Sequence, residues 1–194
     1  MAGEAVQRAV VFDTAFESWL KSYGPRLTPA LRAALRPIVD LEHLAPAYPL
    51  ADWDAFVRLT ARTFFPELPD DAAHRRMGRE FMQGYVQTGV GRAAMLMARV
   101  IGPRRMLERM GRNFRTAGNS IDAVTTVIGP NEVAVETRML PAFLHEWAHR
   151  PSVMVHYRVG ILEGSLDAIG ATPEAAVQSY DIAAQVTRYR VRWR

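Results

Sequence analysis

The feature that most constrains the fold is a change of hydrophobic period midway along the sequence. In the first half, apolar residues recur every three or four positions, as Met77, Phe81 and Tyr85 do, which is typical of amphipathic helices. In the second half, two stretches rich in Val, Ile and Thr, residues 120–128 and 132–140, flank the turn-forming Gly-Pro-Asn. The sequence therefore predicts helices first and a β-hairpin after them.

The period changes twice more toward the C-terminus. Residues 151–170 have helical spacing, and residues 177–183 and 186–193 read as a second pair of strands. In the last strand apolar residues alternate with arginines, which predicts one buried face and one solvated cationic face.

These elements predict an α+β fold in a single domain, 1–194. A helical part, 1–112, would pack on an antiparallel sheet of ββαββ order formed by 113–194. A chain of 194 residues, 49% of them hydrophobic, can bury a large core. Cysteine is absent, which excludes disulfides and thiolate metal sites. No apolar run approaches the ~20 residues of a membrane span, so we expect a soluble cytoplasmic protein.

Caps and breakers predict the helix boundaries. Asp52 is predicted to cap one helix of the first part, and Asp70 or Asp71 to start another. Gly89 and Gly91 are predicted to interrupt the helical pattern, and Gly102 with the following proline restarts it.

The most direct sign of a reaction is HEWAH, residues 145–149, which matches the H-E-x-x-H pattern of zinc hydrolases. Such a helix presents both histidines to one metal, and a third ligand completes the site. At ~100° per residue, however, His145 and His149 lie opposite the apolar face formed by Phe143 and Trp147. We interpret them as surface histidines and keep a zinc-dependent hydrolase as an alternative.

The other histidines are isolated in the sequence. His43, His74 and His156 have no neighbouring ligand pattern, so we predict no cofactor, with a haem ligand among them left open. No nucleophile elbow, phosphate-binding loop or dinucleotide fingerprint is present, and we expect no enzymatic activity.

A basic stripe offers a second alternative. Arg105, Arg109 and Arg112 share one side of a short predicted helix and could attract an anion or nucleic acid. Phe114 is the one aromatic residue near them that could stack on a base, and no DNA-reading motif is evident. A solvated helix face is the simpler interpretation, and nucleic acid is not an expected partner.

Four stretches carry a resemblance that spans almost the whole chain. They are AYP at 47–49, GPRRMLERMGRNFRT at 102–116, RVGILEGSLDAIGA at 158–171 and TRYRVRW at 187–193. Together they resemble an uncharacterised paralogous family of myxobacterial proteins of similar length. The C-terminal half is also similar to the ligand-binding fold of haem nitric-oxide-binding domains, vinyl-reductase-type sensor domains and TRAPP subunits. The similarity there is a helix with Gly160 and Gly164 in G-x-x-x-G spacing, followed by a strand hairpin. This chain lacks the cysteines that vinyl-reductase-type domains often carry in that hairpin.

The resemblance implies a non-enzymatic sensory or regulatory domain that holds an apolar or amphipathic small molecule between helices and sheet. A protein partner or a homodimer would receive the signal. Met97 is expected in the core with the other methionines around it. The residues that we predict to line the pocket, the last two orienting a polar end, are Phe81, Tyr85, Met95, Phe114, Val159, Arg115 and Tyr157. The alternative is that these residues fill a dry core.

Overall fold

Helices dominate the first part of the chain, as predicted. The computed structural model describes residues 8–194, apart from the side chains of residues 111–113. A short 3-10 turn follows the first helix. The elements of this part are β1 (Val10–Phe12), α1 (Asp13–Tyr23), α2 (Pro29–Leu35), β2 (Ala47–Pro49), α3 (Leu50–Phe64), α4 (Asp70–Tyr85), α5 (Gly89–Glu108) and α6 (Met110–Ala117).

The second part forms an antiparallel four-stranded sheet in the order β3-β4-β6-β5. The α+β class and the ββαββ order are therefore confirmed, with one extra short helix after the first hairpin. The elements are β3 (Ile121–Gly129), β4 (Glu132–Met139), α7 (Pro141–Trp147), α8 (Met154–Ala168), β5 (Pro173–Asp181) and β6 (Val186–Trp193).

The two faces of this sheet have opposite character, because side chains alternate along each strand. Val135 and Tyr189 are paired across β4 and β6 and are fully buried on the inner face. On the outer face Arg188 contacts Glu136 at 2.7 Å, and both Arg190 and Arg192 pair with Glu132. The cationic face predicted for the last strand is present, with glutamates of β4 neutralising its arginines.

Helices α4 and α8 cross in backbone contact at the centre of the fold. A Cβ added to Gly78 would lie 2.0 Å from the carbonyl oxygen of Tyr157, and one added to Gly160 would lie 1.9 Å from that of Arg75. The predicted G-x-x-x-G spacing thus marks a helix contact that only glycine permits. Arg75 and the buried Glu163 form a two-pronged ion pair across the same crossing, with Nε 3.0 Å from Oε2.

Helices α5 and α8 both pack against the sheet. Thr125, which is paired with the inward-facing Val135, donates through Oγ1 to the carbonyl oxygen of Leu107 on α5 at 2.8 Å. Arg75 beside α8 reaches the carbonyl oxygen of Ala175 on β5 at 3.4 Å. One hydrophobic core consequently includes residues of both parts of the chain.

Several predicted boundaries are wrong. The ribbon of β1 and β2 was not predicted, since three-residue strands give no periodic signal. Asp52 and Asp70 lie in the first turns of α3 and α4, where they complement the helix dipole instead of capping the helix. Gly89 and Gly91 lie inside α5, whose first turn is capped by the hydroxyl of Thr88.

Three further boundaries differ from the prediction. The helical part extends to Ala117 instead of 112, and β5 begins at Pro173 instead of 177. The restart predicted at Gly102 is confirmed as a kink within α5, where φ is 80°. Among residues 8–194, no helix has the length and apolar character needed to cross a membrane.

Candidate functional site

Two small apolar cavities adjoin each other between the helices and the start of the sheet. Their volumes are about 100 Å³ and about 80 Å³. Both are lined by the same group of side chains from α1, α4, α6 and α8: Ala15, Phe81, Phe114, Ala117 and Ile161. The cavities therefore lie where the two parts of the chain meet.

Different elements complete the lining of each cavity. The larger cavity is closed by Trp53 on α3 and by Met154 and Tyr157 on α8. Met95 and Val90 on α5 line the smaller one. Small residues on α1 and α6 face larger aromatic ones on α3, α4 and α8, and this mismatch in size leaves the space open.

Two tyrosines form the polar part of these linings. Burial raises the pKa of the Tyr157 hydroxyl well above its usual value, so it stays protonated at neutral pH. The described residues offer that hydroxyl no hydrogen-bond partner, although it is buried. Burial also raises the pKa of Tyr85, and a hydrogen bond with the side chain of Thr116 opposes this shift. Tyr157 is therefore a buried donor that the protein itself leaves unused.

Arg158 places a guanidinium beside the larger cavity. It also lines a smaller polar pocket, of about 20 Å³, together with Asp54, Ser152 and Gln185. Among the described residues Arg158 has no hydrogen-bond or ion-pair partner, whereas Asp54 is paired with Arg58 at 3.0 Å. An apolar space thus adjoins a cation that is free to bind an anionic group.

The structure brings together most of the residues predicted to line a pocket. Phe81, Tyr85, Met95, Phe114 and Tyr157 line one or both cavities.

Two predicted lining residues are placed elsewhere. Val159 is buried but lines neither cavity, and Arg115 is exposed and contacts Asp122 at 3.2 Å. Arg158 was missed by sequence reasoning. Its position one residue after the predicted Tyr157 was the available signal.

The HEWAH segment lacks the geometry of a zinc-hydrolase helix. Helix α7 ends at Trp147, and His149 follows it with a φ of 63°, so the two histidines do not lie one turn apart on a helix. Phe143 and Trp147 are buried, while His145 and His149 are exposed, as predicted. No group of three metal-binding side chains occurs within the described part of the chain.

Two of the three arginines of the basic stripe have described side chains. Arg105 and Arg109 are exposed, and Arg109 lies 3.7 Å from the sulfur of Met97. The side chain of Arg112 lies outside the described residues. Met97 was predicted to be core, which is wrong, since it is 58% exposed. Nothing in this geometry favours a nucleic-acid-binding module.

The chain belongs to the family described as protein of unknown function, DUF2378, whose sequence profile matches residues 9–194. No protein with a curated description matches the sequence.

Among solved structures the chain is similar to H-NOX proteins. One from S. oneidensis in the Fe(II)NO ligation state has a TM-score of 0.67 at 10% identity, over 94% of this chain and 99% of that one. An Fe(II) unliganded variant from K. algicida has a TM-score of 0.63 at 11% identity, over 94% and 96%. An oxygen-binding H-NOX domain related to soluble guanylate cyclases has a TM-score of 0.61 at 11% identity, over 93% and 92%. At these identities the similarity shows that the fold is H-NOX-like, and nothing further.

The cavities do not fit a haem. Histidine and cysteine, which most often hold a haem iron, are absent from both linings, and the tyrosines and methionines there are the remaining side chains able to bind iron. The chain's five histidines lie elsewhere, including His74, whose ring nitrogen Nδ1 is 2.6 Å from the Asp70 carbonyl oxygen. Cavities of about 100 and 80 Å³ are also smaller than the ~300 Å³ of the smallest sites for drug-sized ligands, and a porphyrin needs more.

Proposed function

We propose that this protein is a non-enzymatic sensor domain that binds a small amphipathic anion. The apolar body of the ligand occupies the cavities around Phe114, and its anionic end pairs with Arg158. The observation that carries the proposal is the guanidinium of Arg158, which has no partner among the described residues and lies beside an apolar cavity of about 100 Å³.

The cavity volume limits the size of the ligand. An apolar cavity of ~150 Å³ lined by aliphatic and aromatic side chains binds benzene, so about six carbon atoms are the upper range here. A carboxylate gives Arg158 a two-pronged partner of matching geometry. A ligand atom that accepts a hydrogen bond from Tyr157 would also satisfy its buried hydroxyl, which loses its hydrogen bond to water when the protein folds.

The H-NOX-like fold supports a sensory role. Among the similar structures, one H-NOX protein is in an Fe(II)NO ligation state and another is an oxygen complex. In this chain the proposed ligand site lies between the two parts of the fold, so a bound ligand changes how these two parts pack against each other. Binding of a ligand that favours one packing shifts the population toward it.

The test is thermal unfolding of the protein with three probe molecules that have the same six-carbon skeleton: hexanoate, hexan-1-ol and hexylamine. At a concentration of ~10 times Kd, hexanoate stabilises the folded state by about 1.4 kcal/mol and raises Tm by about 3–6 °C. Hexan-1-ol gives a smaller shift, and hexylamine gives none, because its cation faces Arg158.

Two variants and one control make the test specific. Arg158→Gln removes the advantage of hexanoate over hexan-1-ol. Ala117→Leu fills the space shared by both cavities and removes both shifts. Arg115→Gln is the matched control, since Arg115 is exposed and paired with Asp122, and it leaves the shifts unchanged. Equal stabilisation by hexanoate and hexylamine, or none by any probe, contradicts the proposal.

A further inference from the structure

The outer face of α5 is apolar from Val90 to Val100. Its exposed side chains are Val90, Leu96, Met97 and Val100, at 52%, 67%, 58% and 83% exposure. The inner face of the same helix packs on the protein through Gly91, Met95 and Ala98, which are buried.

This face forms a convex ridge. It is roughly 15 Å long, since each helical residue rises ~1.5 Å. Large exposed apolar groups that lie side by side mark interaction sites.

The ridge is flanked by positive charge and by no carboxylate along most of its length. Between Glu80 and Glu108 the sequence contains four arginines and no Asp or Glu. At ~100° per residue, Arg92 and Arg99 lie along one side of the ridge. Their guanidinium groups also donate to the carbonyl oxygens of Gln87 and Ala168 and keep further N–H groups for a phosphate. On the other side Arg109 reaches within 3.7 Å of the sulfur of Met97.

A second copy of this chain is a poor occupant of the ridge. A two-fold interface brings the same patch of both subunits together, and the arginines around Met97 would then face one another. Like charges at an interface repel, and no carboxylate of α5 lies between Val90 and Val100 to relieve them.

A protein partner is also disfavoured by the size of the surface. A stable protein interface covers ~800 Å² and about 20–30 residues on each side. The ridge offers only a few apolar side chains, and it protrudes instead of forming a groove that would receive a partner's side chains.

We propose that α5 docks the protein on an anionic lipid surface. The helix lies parallel to the bilayer, Leu96, Met97 and Val100 enter the interface, and Arg92 and Arg99 pair with lipid phosphates. A helix with an apolar face and arginines along its flank binds membranes in this orientation, and anionic lipids strengthen the attraction. The kink at Gly102 ends the straight helical segment that carries the ridge, so the residues from Val90 to Val100 can lie together in the plane of the lipid.

Cosedimentation with vesicles tests this proposal. The full chain binds phosphatidylcholine vesicles that contain phosphatidylglycerol at least ~10-fold more tightly than vesicles of phosphatidylcholine alone, because each arginine near an anionic surface adds attraction. Added salt weakens the binding. The double variant Leu96→Gln, Val100→Gln loses at least ~10-fold in affinity, since the apolar contribution is removed. Both side chains are exposed, so this variant folds as the parent does.

Matched controls come from the edge strand of the sheet. Val124 and Ile128 are 44% and 52% exposed, and the variant Val124→Gln, Ile128→Gln retains binding. The proposal is overturned if binding does not depend on anionic lipid or if the β3 variant loses as much affinity as the α5 variant. It is also overturned if analytical ultracentrifugation shows a dimer that Leu96→Gln, Val100→Gln dissociates, because the second copy then occupies the ridge.

Discussion

Helices α4 and α8, which cross each other, and helix α5 all border the smaller cavity but are held in place in different ways. At the crossing, Gly78 and Gly160 bring the two backbones into direct contact, and the Arg75–Glu163 ion pair spans it. Helix α5 rests on the protein through side chains such as Met95 and exposes an apolar outer face. One wall of the smaller cavity is therefore fixed by backbone contact, whereas the wall formed by α5 can shift by repacking side chains.

The glycines at the crossing lower the intrinsic helix stability of α4 and α8. A glycine within a helix is less favourable than alanine by about 1 kcal/mol, and α4 and α8 contain Gly78, Gly160 and Gly164 at their contact. The packing and the ion pair that this close approach allows must therefore stabilise the fold by more than the glycines destabilise the helices. Substitutions at the crossing and on α5 measure how differently the two regions tolerate added volume and lost charge.

The largest effect is expected for Gly160→Ala. Its Cβ would lie 1.9 Å from the Arg75 carbonyl oxygen and 2.7 Å from the Arg79 nitrogen, so the helices must separate. Overpacking against backbone lowers the free energy of unfolding by about 3 kcal/mol, which denaturant unfolding measures.

Gly89→Ala on α5 is the matched control. No heavy atom of another part of the structure lies within 4 Å of a Cβ at this position, and alanine favours the helix. This variant is expected to be neutral or more stable by up to about 1 kcal/mol. Equal losses in the two variants would show that the crossing is no more rigid than α5.

The crossing of α4 and α8 was not predicted from the sequence, although the sequence contains a signal for it. The G-x-x-x-G spacing of Gly160 and Gly164 indicates a close helix contact, although it does not identify Gly78 as the partner. In α5, Met97 was assigned to the core together with the neighbouring methionines, because methionine is usually a core residue.

At the site, the aromatic wall was predictable because Phe81 and Phe114 follow the inward stripe of their helices. Arg158 was not, since whether an arginine beside an apolar position faces a cavity depends on how α8 packs. The β1–β2 ribbon depends on tertiary pairing of three-residue strands, which no local sequence pattern predicts.

A smaller effect is expected for Glu163→Gln. The side chain of Glu163 is 4% exposed, and glutamine keeps its shape while removing the charge that Arg75 binds. Loss of a hydrogen bond to a charged group costs about 1.5 kcal/mol, and the half-exposed Arg75 recovers part of its solvation. Chemical denaturation of the variant provides the measurement.

The exposed ion pair on α5 is the control for this substitution. Glu108→Gln removes the partner of Arg104 at 3.1 Å and is expected to change stability by less than about 0.5 kcal/mol. A loss in Glu108→Gln as large as that in Glu163→Gln would mean that burial does not distinguish the two pairs.

The smallest effect is a dependence of stability on pH that comes from a histidine on α4 and has no counterpart on α5. Burial lowers the pKa of His74 below its ordinary value of 6.5, and α5 contains no histidine. The unfolded chain therefore takes up a proton at a higher pH than the folded chain does. Stability is greatest above pH 6.5 and falls as the pH drops toward the folded pKa, below which this contribution is constant. Denaturant unfolding of the parent and of His74→Gln across this window isolates the slope, because all other titrating groups are shared. NMR titration of the His74 ring provides a direct check, and a midpoint at or above 6.5 would contradict the prediction.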